Sequence, residues 1–255
     1  MDEVEQILPA FDLPPDEAIE YLKAKGVIVT SAFDDLLAAA HTRSFTVAGV
    51  ASADLLQDIQ SEIKDALEQG TPFGEFKKRL RAQLGAKGWS SERFETEESD
   101  DGTIRYTKVE DVPAWRLELI YRQNLQSSLN AGRYLNQRAL ADVRPYLQLL
   151  AISDNRTTDI CKAYNEVIAP VNDPIWSLIY PPNHFMCRSR VRSVSQAQAD
   201  RMKATIYTSE DLAKLPEPPK GFDVDPLSEA PVNTKKYSSE ISSQLKEFIT
   251  RKIAA

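Results

Sequence analysis

The sequence predicts an α+β protein that is predominantly α, built as a helical body with a small β-containing module. Three observations support this fold class. Apolar residues recur at helical spacing through the first 90 residues and again after Pro113. Short apolar runs between residues 145 and 195 are typical of strands. Five prolines then interrupt residues 205–235, which favours an extended arm.

Residues 1–90 form the predicted helical N-terminal region. Pro14, Pro15 and the acidic pair Asp16-Glu17 mark a helix start, and Gly26 closes that helix. The apolar residues of the third predicted helix keep helical spacing at Leu55, Leu56, Ile59, Ile63 and Leu67. The further helices are expected at Asp34–Ala40, Val50–Gln69 and Phe73–Leu84.

The next two segments are an acidic connection and the longest helix. Residues 91–112 are polar and acidic, which predicts an exposed hairpin or a loop. Pro113 opens a helix from Ala114 to Leu140, the first element of a module spanning residues 113–204. Because its apolar residues do not keep one narrow stripe, we expect this helix to pack on two sides. These residues are Trp115, Leu119, Ile120, Leu125, Leu129, Leu135 and Leu140.

Shorter sequence patterns predict the strands of the module, the Pro-rich arm and the C-terminal helix. Strands are expected at Tyr146–Ile152, Val167–Ala169 and Arg188–Val194. Residues 205–237 are interpreted as a Pro-rich arm or linker. Residues 238–255 predict an amphipathic helix that needs a partner, within the chain or in another protein. Its apolar face carries Ile241, Leu245, Phe248 and Ile249.

Composition narrows the class of protein. The chain has 255 residues with a net charge of −7, so one or two domains are expected and a generally basic surface for duplex DNA is not. Residues 133–203 nevertheless carry a local charge of +4. Two cysteines do not make a disulfide framework. No run of eighteen apolar residues and no basic, then apolar N-terminus is present, so we expect neither a membrane partner nor a signal peptide.

Both cysteines and one of the two histidines fall in two motifs, at residues 154–161 and 180–192. Cys161, His184 and Cys187 are ligand types that suit zinc, but a structural site needs a fourth ligand, from His41 or an aspartate. The alternatives are a Cys161–Cys187 disulfide and a hydrolase that uses Cys187 and His184. Since the fourth ligand is missing, we expect free packed thiols and no cofactor, with zinc as the alternative. Since no nucleophile-elbow pattern or oxyanion-hole signal is present, we expect no catalytic residues.

The same motifs carry polar residues with predicted structural roles. Asp154, Arg156 and Thr157 form a turn in which Asp154 or Asn155 caps the following helix, and Arg156 pairs with a carboxylate or a partner. Pro181 and Pro182 stiffen the approach to the last strand, and Asn183, His184 and Arg188 anchor it by hydrogen bonds. Arg188, Arg190 and Arg192 alternate along that strand, as a solvated face or as contacts to DNA phosphates or a partner.

These two motifs resemble those of the head-morphogenesis, or minor head protein, family of tailed phages typified by phage Mu protein F. The resemblance covers most of residues 13–226. It includes Gly70-Thr71-Pro72-Phe73, Ala131-Gly132-Arg133-Tyr134 and Gly221-Phe222-Asp223. Its characteristic residues are Asp154, Arg156, Thr157, Cys161, Pro181, Pro182, His184, Cys187 and Arg188. Many members have a second cysteine where this chain has Ser189, which weakens a metal site.

The resemblance implies a non-enzymatic minor capsid protein that acts in head morphogenesis. Its expected partners are the portal protein, the major capsid or scaffold protein, and double-stranded DNA. Its expected location is the virion head near the portal vertex, after assembly in the host cytoplasm. The alternatives are a DNA-binding module that affects genome packaging or ejection, and a Cys/His hydrolase or toxin-like enzyme.

Overall fold

A computed structural model gives the fold of the chain. It describes residues 16–30, 36, 41–42, 44–47, 53–87, 93–98, 104–109, 113–223, 225–227 and 243–244. The helices are α1 (Asp16–Lys23), α2 (Ala53–Gln69), α3 (Phe73–Ala86), α4 (Ala114–Ala139), α5 (Asp159–Tyr164), α6 (Trp176–Ile179) and α7 (Gln196–Met202). The strands are β1 (Gly26–Val27), β2 (Ser44–Phe45), β3 (Arg93–Glu98), β4 (Ile104–Val109), β5 (Tyr146–Leu150), β6 (Ile168–Pro170) and β7 (Arg190–Val194). The predominantly α, α+β class predicted from the sequence is confirmed.

The N-terminal core is a helical cluster built from α1, α2, α3 and the first half of α4. Its buried side chains are almost all aliphatic, with Phe45 and Phe76 as the aromatic members. Gly70, at a φ of 63° in the left-handed region that favours glycine, ends α2. The helical spacing of Ile59, Ile63 and Leu67 therefore brings them to one buried face, as the sequence predicts.

The module core lies between the second half of α4 and a three-stranded antiparallel sheet of order β6-β5-β7. Tyr146 of β5 is opposite Pro170 on one side and Val194 on the other. Aromatic side chains dominate the centre: Tyr134 of α4 stacks on Tyr180 at 4.3 Å, and Trp176 meets Tyr180 edge-on. Trp176 Nε1 donates to Pro170 O at 2.8 Å, so the buried indole is satisfied.

Helix α4 thus packs on two sides, which confirms that prediction. Leu117 and Ile120 belong to the N-terminal core, and Tyr134 belongs to the module core. Several apolar residues used in the prediction are solvent-exposed, including Trp115 at 67% and Leu140 at 52%. The two cores occupy limited arcs of the helix surface, so the remaining apolar positions face outward.

Close approach of α1 to α4 depends on Gly132. A Cβ at this position would lie 2.7 Å from Ala18 N, a backbone atom that has no freedom to move aside. The absence of a side chain at Gly132 therefore sets the separation between these two helices.

The described part of the predicted Pro-rich arm, up to Leu227, contacts the module at several points. Tyr207 N donates to Ile168 O at 2.7 Å, and Tyr164 Oη donates to Pro216 O at 2.5 Å. Phe222 is buried and meets Phe185 edge-on. The prolines interrupt any helical or strand periodicity in this segment, but single side chains still pack against the module.

The remaining predictions concern the acidic segment, the helix at 34–40 and the C-terminal helix. Residues 93–109 contain the hairpin β3–β4, in which Arg93 is opposite Val109 and Glu98 is opposite Ile104. Apart from residue 36, the predicted helix at 34–40 lies outside the described residues, as does most of the predicted C-terminal helix. Ser243 and Gln244 are helical, and Val29 N donates to Gln244 Oε1 at 2.8 Å. Within the described ranges no helix is both long and apolar enough to cross a membrane.

Candidate functional site

The candidate site forms where two loops of the module meet. One loop joins β5 to α5 and carries Asp154 to Thr158, and Cys161 follows in the first turn of α5. The other precedes β7 and begins with the cis peptide bond between Pro181 and Pro182. Cys187 N donates to His184 O at 3.3 Å to close a turn, and Met186 in that turn has a φ of 59°. The turn directs His184 and Cys187 toward the same side, facing Cys161.

Three ligand-type atoms converge at this meeting point. Cys161 Sγ lies 3.1 Å from His184 Nε2 and 3.8 Å from Cys187 Sγ, and all three atoms lie within 4.8 Å of one another. Both thiols are free and buried, while His184 is half-buried. A solvent-open pocket reaches Cys161 and His184 and is also bordered by Arg188. These three residues are the candidate ligands identified from the sequence, and the structure brings them together.

The orientation of His184 is fixed by its backbone. Its Nδ1 lies 2.7 Å from Phe185 O, and a carbonyl oxygen only accepts, so Nδ1 carries a proton and donates. Nε2, the other ring nitrogen, consequently faces Cys161. This arrangement leaves Nε2 as the atom that meets a thiolate, a proton or a metal.

Electrostatics at the cluster place negative charge on Cys161. Hydrogen bonding from the Cys187 thiol, then from His184, Ser189 and Thr158, lowers the pKa of Cys161 to about 4. Sharing a proton with Cys161, together with burial, raises the pKa of Cys187. The contact with Cys161 raises the pKa of His184. The cluster therefore holds one thiolate and one thiol in close contact.

A salt bridge beside the cluster ties the two loops together. Arg188 donates from Nη1 to Asp154 Oδ2 at 2.8 Å and from Nη2 to Asp154 Oδ1 at 2.6 Å. Asp154 Oδ1 also accepts from Arg156 N and from Thr157 Oγ1. These donors, Arg188 first, hold the pKa of Asp154 well below its usual range. The bidentate pairing fixes both position and angle between the loops.

Two predictions about this region are wrong. Neither Asp154 nor Asn155 caps α5, because the residue at its N-cap is Thr158, and the Asp154 carboxylate is used in its own turn and by Arg188. Arg188 does not belong to the last strand, which begins at Arg190. Its early position lets it reach across to Asp154 instead of lying beside the other two arginines.

Other predicted site residues have less central positions. Arg190 and Arg192 share an exposed face of β7, and Arg192 Nε donates to Gln148 Oε1 at 2.7 Å. The Arg156 guanidinium is mostly exposed and lies 3.8 Å from Asp154 Oδ2. Among the described residues the ligand cluster does not include His41, whose backbone oxygen accepts from Lys25.

Sequence reasoning missed the row of amide side chains on α4 that holds the second loop. Asn130 Nδ2 donates to Pro181 O at 3.1 Å, and Gln137 Nε2 donates to Val191 O at 2.9 Å. Gln126 donates to Ser189 O, and Gln123 accepts from Met186 N. Their spacing of three, four and seven residues is a helical stripe that could have been detected.

Asn183, predicted to anchor the last strand, has a different environment. Its side chain is fully buried, and neither of its amide atoms has a hydrogen-bond partner among the described residues. The anchoring by hydrogen bonds is carried out by the amides of α4 instead, and by Arg188.

Comparisons with known proteins match the part of the chain that contains both motifs. The family model described as "Phage Mu protein F like protein" matches residues 57–192, which include both motifs. The "Putative capsid assembly protein F" of Escherichia phage Mu is 32% identical over 211 residues, covering 83% of this chain and 47% of that protein. The "Mu-like prophage FluMu F protein" of Haemophilus influenzae (strain ATCC 51907 / DSM 11121 / KW20 / Rd) is 30% identical over 204 residues, covering 80% and 47%. The chain spans about half the length of these curated relatives. No solved structure matches.

Proposed function

The chain belongs to the Phage Mu protein F like family, and from this we propose that it is a non-enzymatic minor head protein of a tailed phage. The family match across residues 57–192 is the observation that carries this proposal. One relative is named a capsid assembly protein, and that role is extended to this chain. Two packed hydrophobic cores, and a module whose loops are held by hydrogen bonds from α4 and Arg188, are compatible with a structural role in the head.

Association with the portal protein is the specific form of this proposal. The protein would join the assembling head in the host cytoplasm, contact the major capsid or scaffold protein, and remain in the virion near the portal vertex. The predicted C-terminal helix is the proposed docking segment, with Gln244 already close to Val29. The exposed Trp115, at the start of α4, offers a second point of contact.

Co-expression with the portal protein of the same phage tests this proposal. We expect the two proteins to co-elute in size-exclusion chromatography and their complex to be resolved by cryo-electron microscopy. A variant of the apolar helix face should lose binding, whereas a control variant of the opposite face should keep it. The first replaces Ile241, Leu245, Phe248 and Ile249 by alanine; the control replaces Ser243, Glu247 and Thr250 by alanine.

The outcomes separate the parts of the proposal. Retained binding by the apolar-face variant would remove this helix from docking and leave it a role within the chain. Failure of the unaltered chain to bind portal, capsid or scaffold protein under any assembly condition would contradict the head-assembly function.

Contact with DNA is the second candidate, favoured by the exposed arginines of β7. Arg190 and Arg192 face solvent together, whereas Arg188 is occupied by Asp154. Replacing both exposed arginines by alanine should reduce the slope of log affinity against log salt concentration by about 1–2, since each phosphate contact contributes about 0.9. Replacing Lys78 and Arg79 by alanine removes equal charge elsewhere and is the control. No DNA retardation at low salt would end this candidate.

A further inference from the structure

We propose that Cys161 Sγ, His184 Nε2 and Cys187 Sγ are three protein ligands of one tetrahedral zinc-type divalent cation. The fourth position would face the solvent-open pocket and hold water. This inference concerns the module itself and does not depend on the head-assembly function.

The distances support a tetrahedral centre. Zinc–sulfur bonds of about 2.3 Å place two tetrahedral thiolate ligands about 3.8 Å apart. Cys161 Sγ and Cys187 Sγ are 3.8 Å apart. The corresponding sulfur–nitrogen separation is about 3.6 Å, and Cys161 Sγ lies 3.1 Å from His184 Nε2. A shift of about half an ångström in the imidazole completes the geometry.

The second coordination sphere is already in place. Metal-binding histidines usually donate their other ring N–H to a carbonyl or a carboxylate, which fixes tautomer and ring orientation. His184 Nδ1 does so toward Phe185 O at 2.7 Å. The Asp154–Arg188 salt bridge then holds the loop bearing His184 and Cys187 against the loop that leads into α5, the helix that bears Cys161.

A cation explains all three residues, whereas the alternatives leave one of them unused. A Cys161–His184 nucleophile pair gives no role to Cys187, which lies beside it in the buried cluster. A disulfide requires a sulfur separation of about 2.05 Å and gives no role to the fixed imidazole. Two thiolates would neutralise a divalent cation, and thiolate and imidazole together favour zinc.

Three protein ligands and one water molecule are sufficient for a tetrahedral zinc site. Sites with two cysteines, one histidine and one solvent ligand are a known coordination class. The pocket reaches Cys161 and His184, so water has access on that side. Ser189 occupies the place of a third thiol, and its hydroxyl instead hydrogen-bonds Cys161.

The test begins with the unaltered, tag-free chain. We expect elemental analysis to find about one zinc per chain after purification from zinc-supplemented cells. Cobalt added to metal-free protein should give thiolate charge-transfer and tetrahedral visible absorption bands. Cys161→Ser, Cys187→Ser and His184→Gln should each weaken cobalt affinity by at least about 100-fold, beyond the 10–100-fold typical of changes outside the ligand set. His41→Gln, which changes the other histidine, should bind cobalt normally.

Measurements on the unaltered chain keep the proposal testable if a variant fails to fold. Zinc should protect both thiols from iodoacetamide, and a chelator should expose them and lower the melting temperature. A folded chain that binds neither zinc nor cobalt would overturn the proposal. Rapid alkylation of Cys161 regardless of zinc would overturn it in favour of a Cys–His pair, and an intact-mass loss of two hydrogens would overturn it in favour of a disulfide.

Discussion

The two cores of this protein are stabilised in different ways. The N-terminal core is a cluster of mainly leucine, isoleucine and phenylalanine side chains, most of them on helices. The module core combines stacked tyrosines with buried amides that donate to backbone oxygens more than fifty residues away. Apolar burial tolerates small shifts, whereas a hydrogen bond needs defined geometry. The N-terminal core therefore depends mainly on aliphatic packing, whereas the module core depends on aromatic packing and on hydrogen bonds of defined geometry.

The largest effect is expected in the N-terminal core. Phe76 is fully buried, so Phe76→Ala should lower the free energy of unfolding by about 3–5 kcal/mol. Urea denaturation followed by circular dichroism measures this change. Trp115→Ala, which removes a mostly exposed aromatic side chain, should change stability by less than about 0.5 kcal/mol. Similar losses for both variants would contradict the assignment of this core.

A smaller but more specific effect is expected in the module. Gln137 donates to Val191 O and accepts from Tyr180 Oη, so Gln137→Leu leaves two buried polar groups unpaired. We expect a loss of about 1–3 kcal/mol in the free energy of unfolding. Adding Tyr180→Phe should recover part of that loss, which a double-mutant cycle would measure. Asn136→Leu, at the adjacent exposed position, is the control.

The stability of the module is expected to depend on pH through the Asp154 carboxylate. The Asp154 carboxylate has a folded-state pKa below its usual range, mainly because of Arg188. Its contribution to stability is present above the unfolded pKa of about 3.9 and is lost as pH falls through the lower folded pKa. Melting temperatures measured from pH 7 downward should therefore fall more steeply in the unaltered chain than in Asp154→Asn. Asp142→Asn should behave like the unaltered chain, and a matching profile for both variants would contradict this role.

The smallest effect is expected on the surface of α4. Glu118 and Arg122 lie four residues apart on one exposed face, and Arg122 Nε is 2.7 Å from Glu118 Oε1. Glu118→Gln should cost about 0.3–0.5 kcal/mol, decreasing with added salt. A loss comparable to that of Gln137→Leu would show that surface charge, and not buried hydrogen bonding, governs this helix.

The sequence predicted the elements of the body better than the contacts of the module. The spacing of Ile59, Ile63 and Leu67 is local information, and it identified both a helix and its buried face. The pairing of Arg188 with Asp154 joins residues 34 apart, so no local pattern contains it. Packing of the Pro-rich segment depends on isolated contacts such as that of Phe222 with Phe185. The three candidate ligands were recognisable by residue type, but their convergence required the tertiary structure.

Helix α4 contributes to both cores, and this couples the unfolding of one core to the unfolding of the other. It has 26 residues, which corresponds to a rod about 39 Å long. Unfolding either core would remove packing from one half of that rod and leave the other half with fewer neighbours. We therefore expect both halves to melt in a single calorimetric transition. A partner or a metal ion that binds at one end should slow hydrogen exchange at the other, without any change in shape.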